Sequence, residues 1–295
     1  VNVSLFLTQF MNGIGAGVIY ASLALALVLI FRTTGLLNFA QGEMALFSTY
    51  VTWWLWDGGL PILAAILISV GLSFVGGAVI ERVVIRPVES SSPLIVVIVT
   101  LGMFLALNAL TQVIFGTDAK QLASVFPQRV FDVGGVRLTA QTIGLVGVLV
   151  LECVLLWLIF QRTKAGLALR AVAANPTSSR LVGINVGRML MLGWALAAAL
   201  GALAGSLVVP ATEALTASSM QAILVFAFAG AALGGFDSPL GAVVGGLVVG
   251  VANSLTIEYL EPLRDVELIV PFGIILGVLL VRPAGLFGTQ RVERV

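Results

Sequence analysis

The sequence predicts an all-α fold, a polytopic transmembrane helix bundle, and three observations carry that prediction. Of 295 residues, 59% are hydrophobic and only 10% are charged. Mean hydropathy is +1.12. Apolar runs close to the ~20 residues that cross a bilayer recur along the chain. A water-soluble protein carries about 25% charged residues, so 15 basic and 14 acidic side chains cannot hydrate this surface. Lipid contact removes the need. Disorder is excluded as well, because it requires low hydrophobicity and high charge.

The runs follow in order. Leu5 to Phe31 is the first, and the shorter Glu43 to Trp56 lies between Asn38-Phe39-Ala40-Gln41-Gly42 and Asp57-Gly58-Gly59. Leu60 to Ile80 and Leu94 to Phe115 are clear spans. Residues 116–139 carry Asp118, Lys120, Arg129, Asp132 and Arg137 and read as an extramembrane loop. Gln141 to Phe160 spans again, and Met189 to Val209 does so after the charged stretch 161–188. Beyond Pro210, Met220 to Gly235 and Leu240 to Ile257 flank the break at 234–239, and Leu268 to Val281 is the last run. Nine apolar segments, some short, give eight or nine crossings with short or re-entrant pieces, which membranes tolerate where the backbone is buried in protein or lines a wet cavity.

Basic residues set the expected orientation. With the N-terminus outside and nine crossings, Arg32, Arg82, Arg86, Arg162, Lys164, Arg170, Arg180, Arg188, Arg282, Arg291 and Arg294 fall inside. Lys120, Arg129, Arg137 and Arg264 fall outside. That bias places the C-terminus and the loops 81–93 and 161–188 in the cytoplasm. No basic n-region with a cleavage site precedes the first run, so no removed signal peptide is expected.

Several chemistries drop out. The chain has no histidine and one cysteine, Cys153, inside an apolar run, so metal triads, histidine relays, Ser-His-Asp hydrolysis and disulfide frameworks are not expected. A net charge of +1 gives no reason for nucleic-acid binding. No cofactor or metal site is expected.

Small residues recur at four-residue spacing: Gly13, Gly17 and Ala21; Ser69, Ser73 and Gly77; Ala197, Gly201 and Gly205; Gly246 and Gly250. Such stripes let helices approach closely in lipid, where no hydrophobic effect drives their association. They mark packing rather than a pore.

The stretch 161–188 is the most informative. Lys164 to Ala174 has helix-favouring composition. Asn175 then suits an N-cap and Pro176 the first position of a second helix, which ends near Val182 because Gly183 suits a left-handed C′ position. Asn185 is placed to cap the next span. The pair makes either a docking platform or a solvated connector.

NFAQGE at 38–43 offers the amides of Asn38 and Gln41, close backbone approach at Gly42, and Glu43 at a helix start where negative charge is favourable. It reads as a capped turn at the membrane surface or as part of a gate. Polar side chains within the spans line a path or bond between helices. They are Gln9 with Asn12; Asn108, Thr111 and Gln112; and Asn253. Glu152 is the one acid deep in an apolar run, and intramembrane ionisable groups are functional by default.

Four elements together resemble one family. They are GLLNFAQGE at 35–43; Gly166, Leu169-Arg170-Ala171, Asn175 and Gly183-Ile184-Asn185; Leu233-Gly234-Gly235-Phe236 through Gly245-Gly246; and Arg282-Pro283-Ala284-Gly285-Leu286-Phe287-Gly288. In this order they are similar to permease subunits of branched-chain amino acid ABC importers, over nearly the whole chain. The resemblance implies that 1–295 is a single permease domain with 161–188 as its cytoplasmic coupling loop. It also implies a bacterial inner-membrane location, a second permease subunit, two cytoplasmic ATP-binding subunits and a periplasmic or extracellular substrate-binding protein. ATPase coupling would then fall on Gly166, Arg170, Ala171, Asn175, Pro176, Gly183 and Ile184. The path or gate would draw on Asn12, Asn38, Gln41, Glu43, Asn108, Gln112, Glu152 and Asn253. The chain has no G-x-x-x-x-G-K-[ST] phosphate loop of its own, so the reading is a transport subunit rather than an enzyme. Urea, short amides and other amino acids are alternative substrates. An ion-coupled secondary transporter is the alternative class, but such coupling usually shows several intramembrane acids or ion-binding broken helices, and Glu152 stands alone.

Overall fold

Each predicted apolar run is a helix, as hydrocarbon demands: only intra-segment bonds or a closed barrel satisfy every backbone N–H and C=O there. The computed structural model describes residues 3–89, 91–209, 214–263, 266 and 268–288. Pro210, Arg264, Arg291 and Arg294, used above for boundaries and orientation, lie outside the described residues. The helices are α1 (Val3–Thr34), α2 (Gln41–Asp57), α3 (Ile62–Ile80), α4 (Pro93–Phe115), α5 (Ala140–Arg162), α6 (Lys164–Ala174), α7 (Pro176–Leu181), α8 (Val186–Val208), α9 (Ser219–Gly234), α10 (Pro239–Tyr259) and α11 (Ile269–Val281). A five-residue π turn, Glu81–Ile85, extends α3. Among the described residues, six helices are long and apolar enough to cross a membrane: α1, α3 with its π turn, α4, α5, α8 and α10. α9 and α11 are shorter apolar helices.

The expectation of an all-α chain needs one correction. Within the loop 116–139, β1 (Val130–Val133) and β2 (Val136–Thr139) form an antiparallel hairpin. Gly134 and Gly135 both take positive φ, +63° and +83°, which a tight two-residue hairpin turn requires. Asp132 Oδ1 accepts the Gly135 N–H at 2.9 Å and supports that turn.

Two compact units divide the chain, with boundaries inside α1, α5 and α9. One comprises Val1–Val28, Phe126–Leu149 and Ala222–Val295. Its spine is the crossing of α1 and α10, where two of the predicted small-residue stripes meet. A Cβ on Gly13 would lie 2.6 Å from Val251 Cα, and one on Gly17 would lie 2.8 Å from Leu247 Cα. Tyr20 stacks on Phe226 with ring centroids 4.5 Å apart.

The other unit comprises Leu29–Val125 and Val150–Gln221. Here α2 packs on α3, α4 and α8, and the remaining two stripes serve those contacts. Ser69 Oγ donates to the Ser48 carbonyl and Ser73 Oγ to Ser48 Oγ, both at 2.6 Å. Thr52 and Ser206 hydroxyls bond at 2.9 Å. A Cβ on Gly77 would stand 2.6 Å from the Trp194 carbonyl oxygen. Small residues here admit both backbone contact and hydroxyl bonds, the two main sources of helix adhesion in lipid.

Candidate functional site

The predicted platform at 161–188 forms as the residues dictate. Thr163 caps α6 by accepting the Gly166 N–H at 2.9 Å. Gly166 is buried where α6 turns back on α5, and a Cβ there would lie 2.6 Å from Phe160 Cα. Asn175 ends α6, its N–H donating to the Ala171 carbonyl at 3.0 Å. Its side chain also caps α7, accepting the Ser178 N–H at 2.9 Å. Pro176 opens α7. Gly183 has φ +84°, and the chain reverses there to Asn185, whose side chain accepts the Arg188 N–H at 3.0 Å and caps α8.

Beneath this platform lies a small apolar core. Val172 of α6 packs with Val186 and Leu190 of α8, and the half-buried Ile184 and Met189 close it. Ala171 is half-buried beside it. Arg170 Nη1 donates to Gln161 Oε1 at 3.1 Å, so its guanidinium braces α6 against the end of α5. The platform also carries apolar surface unusual for a polar loop: Leu181 is 85% exposed and Val182 75%. Arg180 and Pro176 stand exposed next to them.

The second group gathers at the start of α2. Asn38, Gln41 and Glu43 are all buried within the protein. Ala40 occupies the N-cap and makes no side-chain cap. Asn38 Oδ1 accepts the Ala40 N–H at 3.0 Å and its Nδ2 donates to Gln41 Oε1 at 3.2 Å. Gln41 Nε2 in turn donates to the Ala197 carbonyl of α8 at 3.0 Å. Asn108 Nδ2 donates to Glu43 Oε2 at 2.9 Å and to the Ala217 carbonyl at 2.8 Å. Gln112 Nε2 donates to Asn108 Oδ1 at 2.7 Å. Five predicted residues, Asn38, Gln41, Glu43, Asn108 and Gln112, thus form two short chains of bonds that link α2 to α8 and to α4.

The other candidates stand apart from these chains. Asn12 is exposed on α1 and donates to Gln9 Oε1 at 3.3 Å. Gln9 Nε2 donates to Glu258 Oε2 at 2.9 Å, and Ser254 Oγ donates to the Gln9 carbonyl at 2.8 Å. Asn253 on α10 is half-buried. Glu152 is 2% exposed while Leu151 and Val154 beside it are 53% and 46% exposed, so α5 turns its one acid inward.

The sequence reading missed Glu258 and the ion pair of Arg86 with Glu81, whose Nη2 to Oε2 distance is 2.7 Å. Glu258 follows Ser254 by one helical turn, a signal that its position at the end of an apolar run obscured. The two glycine-rich elements also turn out to be one feature. The Leu286 N–H donates to the Leu233 carbonyl at 2.8 Å and the Phe287 N–H to the Gly234 carbonyl at 2.9 Å. Gly235 and Gly285, at φ +105° and +78°, face each other so closely that a Cβ on Gly285 would lie 2.5 Å from Gly235 N.

A family model described as the branched-chain amino acid transport system / permease component matches residues 9–279. Over 304 residues, 98% of each chain, the sequence is 30% identical to the high-affinity branched-chain amino acid transport system permease protein LivH of Escherichia coli K12. It is also 30% identical over 304 residues, 98% of each chain, to the corresponding permease protein BraD of Pseudomonas aeruginosa. A probable branched-chain amino acid transport permease protein LivH of Methanocaldococcus jannaschii is 30% identical over 289 residues, 91% of this chain and 88% of that one.

Proposed function

The chain belongs to the family of branched-chain amino acid permease components, and from that premise we propose that it is a membrane subunit of an ATP-driven importer for branched-chain amino acids. It forms the translocation path with a second permease, takes its energy from two separate ATP-binding subunits, and receives substrate from a binding protein outside the membrane. The protein is multi-pass; in a bacterium it sits in the inner membrane with its N-terminus outside and residues 161–188 in the cytoplasm.

The observation that carries this reading is the capped α6–α7 platform. Two short helices, stopped and restarted by Asn175, sit on an apolar core shared with α8 and present Leu181 and Val182 outward. A solvated connector has no use for such exposed apolar side chains next to Arg180, whereas a protein partner covers them. Gly166 and Ile184 hold the platform to α5 and α8, Ala171 accepts the Asn175 N–H at its first corner, Arg170 braces it, and Asn175, Pro176 and Gly183 set its two corners. The bonded chains Asn38–Gln41 and Glu43–Asn108–Gln112 supply the gate between α2, α4 and α8. Asn12, Glu152 and Asn253 remain candidates for the path. No single residue needs to bind substrate tightly, because the binding protein supplies affinity.

Membrane vesicles holding the chain with its partner permease and ATPases are expected to take up labelled leucine only with ATP and binding protein. Uptake of urea or a short amide in place of leucine would move the substrate assignment within the same machinery. Uptake driven by an ion gradient without ATPases would overturn the reading. Arg170→Glu and Gly183→Leu are expected to weaken ATPase docking or stimulation, and the coupling assignment is wrong if both leave them intact.

A further inference from the structure

The end of α3 departs from α-helix in one place. The Arg86 N–H donates to the Glu81 carbonyl at 2.7 Å, an i to i+5 bond that closes the π turn Glu81–Ile85. At 3.6 residues per turn, two positions five apart stand about 140° from each other around a helix. The wider π turn brings them onto one side, and such turns concentrate at functional positions. Arg86 therefore lies over Glu81 and grips both carboxylate oxygens, Nε to Oε1 at 3.2 Å and Nη2 to Oε2 at 2.7 Å.

The same Nη2 donates to the Gly187 carbonyl at 2.6 Å, in the first turn of α8. Gly187 leaves room for this approach, since a Cβ there would lie 3.2 Å from Arg86 Cζ. One guanidinium thus joins the end of α3 to the start of α8, two residues beyond the Asn185 cap at which the α6–α7 platform ends. A half-open pocket of about 200 Å³ beside α7 is lined by Glu81, Ile85, Pro176, Arg180, Leu190 and Trp194. The capped backbone at 182–187 and the Arg86 bond join α7 to the end of α3, adding to the close approach of Gly77 and Trp194 further along the same two spans. The Glu81 side chain is 0% exposed and that of Arg86 27%, a pair that is costly to break because the partner left behind is a buried charge.

We propose that Arg86 is a positioning residue for transport coupling: it locks the start of α8 to the end of α3, so that a displacement of the α6–α7 platform moves both spans together. This rests on the reading of 161–188 as the ATPase-coupling element. The π turn is the device that brings Arg86 into register with both partners.

The test uses the full complex in proteoliposomes, with leucine uptake and ATP hydrolysis measured side by side. Absence of ATP-driven uptake by the unmodified complex overturns the functional reading itself, before Arg86 is considered. With an active complex, Arg86→Ala is expected to retain bound ATPases and unstimulated hydrolysis while leucine transported per ATP falls several-fold. Glu81→Gln keeps the shape and the acceptor and is expected to fall by less. Unchanged transport per ATP in Arg86→Ala overturns the proposal. If that variant does not fold, Arg86→Lys decides alone, because one ammonium cannot grip both carboxylate oxygens and the Gly187 carbonyl as the guanidinium does: a reduced ratio with ATPases still bound supports coupling, and a normal ratio or loss of the ATPases overturns it.

Discussion

Asn108 hands one amide to two acceptors, Glu43 Oε2 at 2.9 Å and the Ala217 carbonyl at 2.8 Å, so a single side chain of α4 holds the start of α2 and the segment that leads into α9. Hydrocarbon offers these acceptors little water in exchange. Asn108→Ala is therefore expected to destabilise the detergent-solubilised protein by ~1–3 kcal/mol, the cost of leaving buried acceptors unsatisfied. Glu43→Gln retains an acceptor oxygen and is expected to cost less than about 1 kcal/mol. Thermal unfolding followed by light scattering ranks the two; an Asn108→Ala midpoint equal to that of the unmodified protein would show that these bonds contribute nothing.

The α1–α10 crossing makes a contrast between two glycines testable. A Cβ on Gly17 meets Leu247 Cα at 2.8 Å, whereas one on Gly76 meets nothing within 4 Å. Overpacking costs about 1–3 kcal/mol, and Gly17→Ala is expected to fall in that range. Gly76→Ala, in the interior of α3, is expected to be neutral or to gain ~0.5–1 kcal/mol from the lower backbone entropy of alanine. Retention of the folded peak in size-exclusion chromatography after heating separates them.

Asn175 closes one helix and starts the next, and its side chain holds the Ser178 N–H. Removing such a cap typically costs ~1 kcal/mol. Hydrogen exchange of the amides of 177–181 in Asn175→Ala is expected to speed up about fivefold, the factor that corresponds to this free energy. The amides of α8 within its helical bonds are expected to stay protected. A uniform change across both would mean that the cap supports the whole bundle rather than α7.

Much of this was legible from residue order because local rules govern it. Lys164–Ala174 forms the expected helix, Asn175 and Asn185 cap as expected, and Gly183 takes the left-handed conformation. The family resemblance carried by four short elements is borne out by matches along nearly the whole chain. What escaped depends on partners far away in sequence or on backbone register. Nothing in the composition of Glu81–Ile85 announces a π turn, and the Arg86–Gly187 bond joins residues 101 apart. Each strand of the 130–139 hairpin is only four residues long, too short for alternation to stand out, although Gly134-Gly135 was the signal to follow. The bonds that Gln41 and Glu43 make to Ala197 and Asn108 likewise join residues far apart in sequence, which residue type alone does not reveal.

The meeting of Gly13 and Gly17 with residues 247–251 also sets a timetable for the ribosome. α1 is made early, yet the surface that covers its glycine stripe is encoded in α10. At ~5–20 residues per second, α1 waits roughly ten to fifty seconds in the bilayer with its closest-packing face unmatched. A nascent chain that stalls before α10 would leave that face exposed to other helices, which gives membrane quality control a defined feature by which to recognise an unfinished copy.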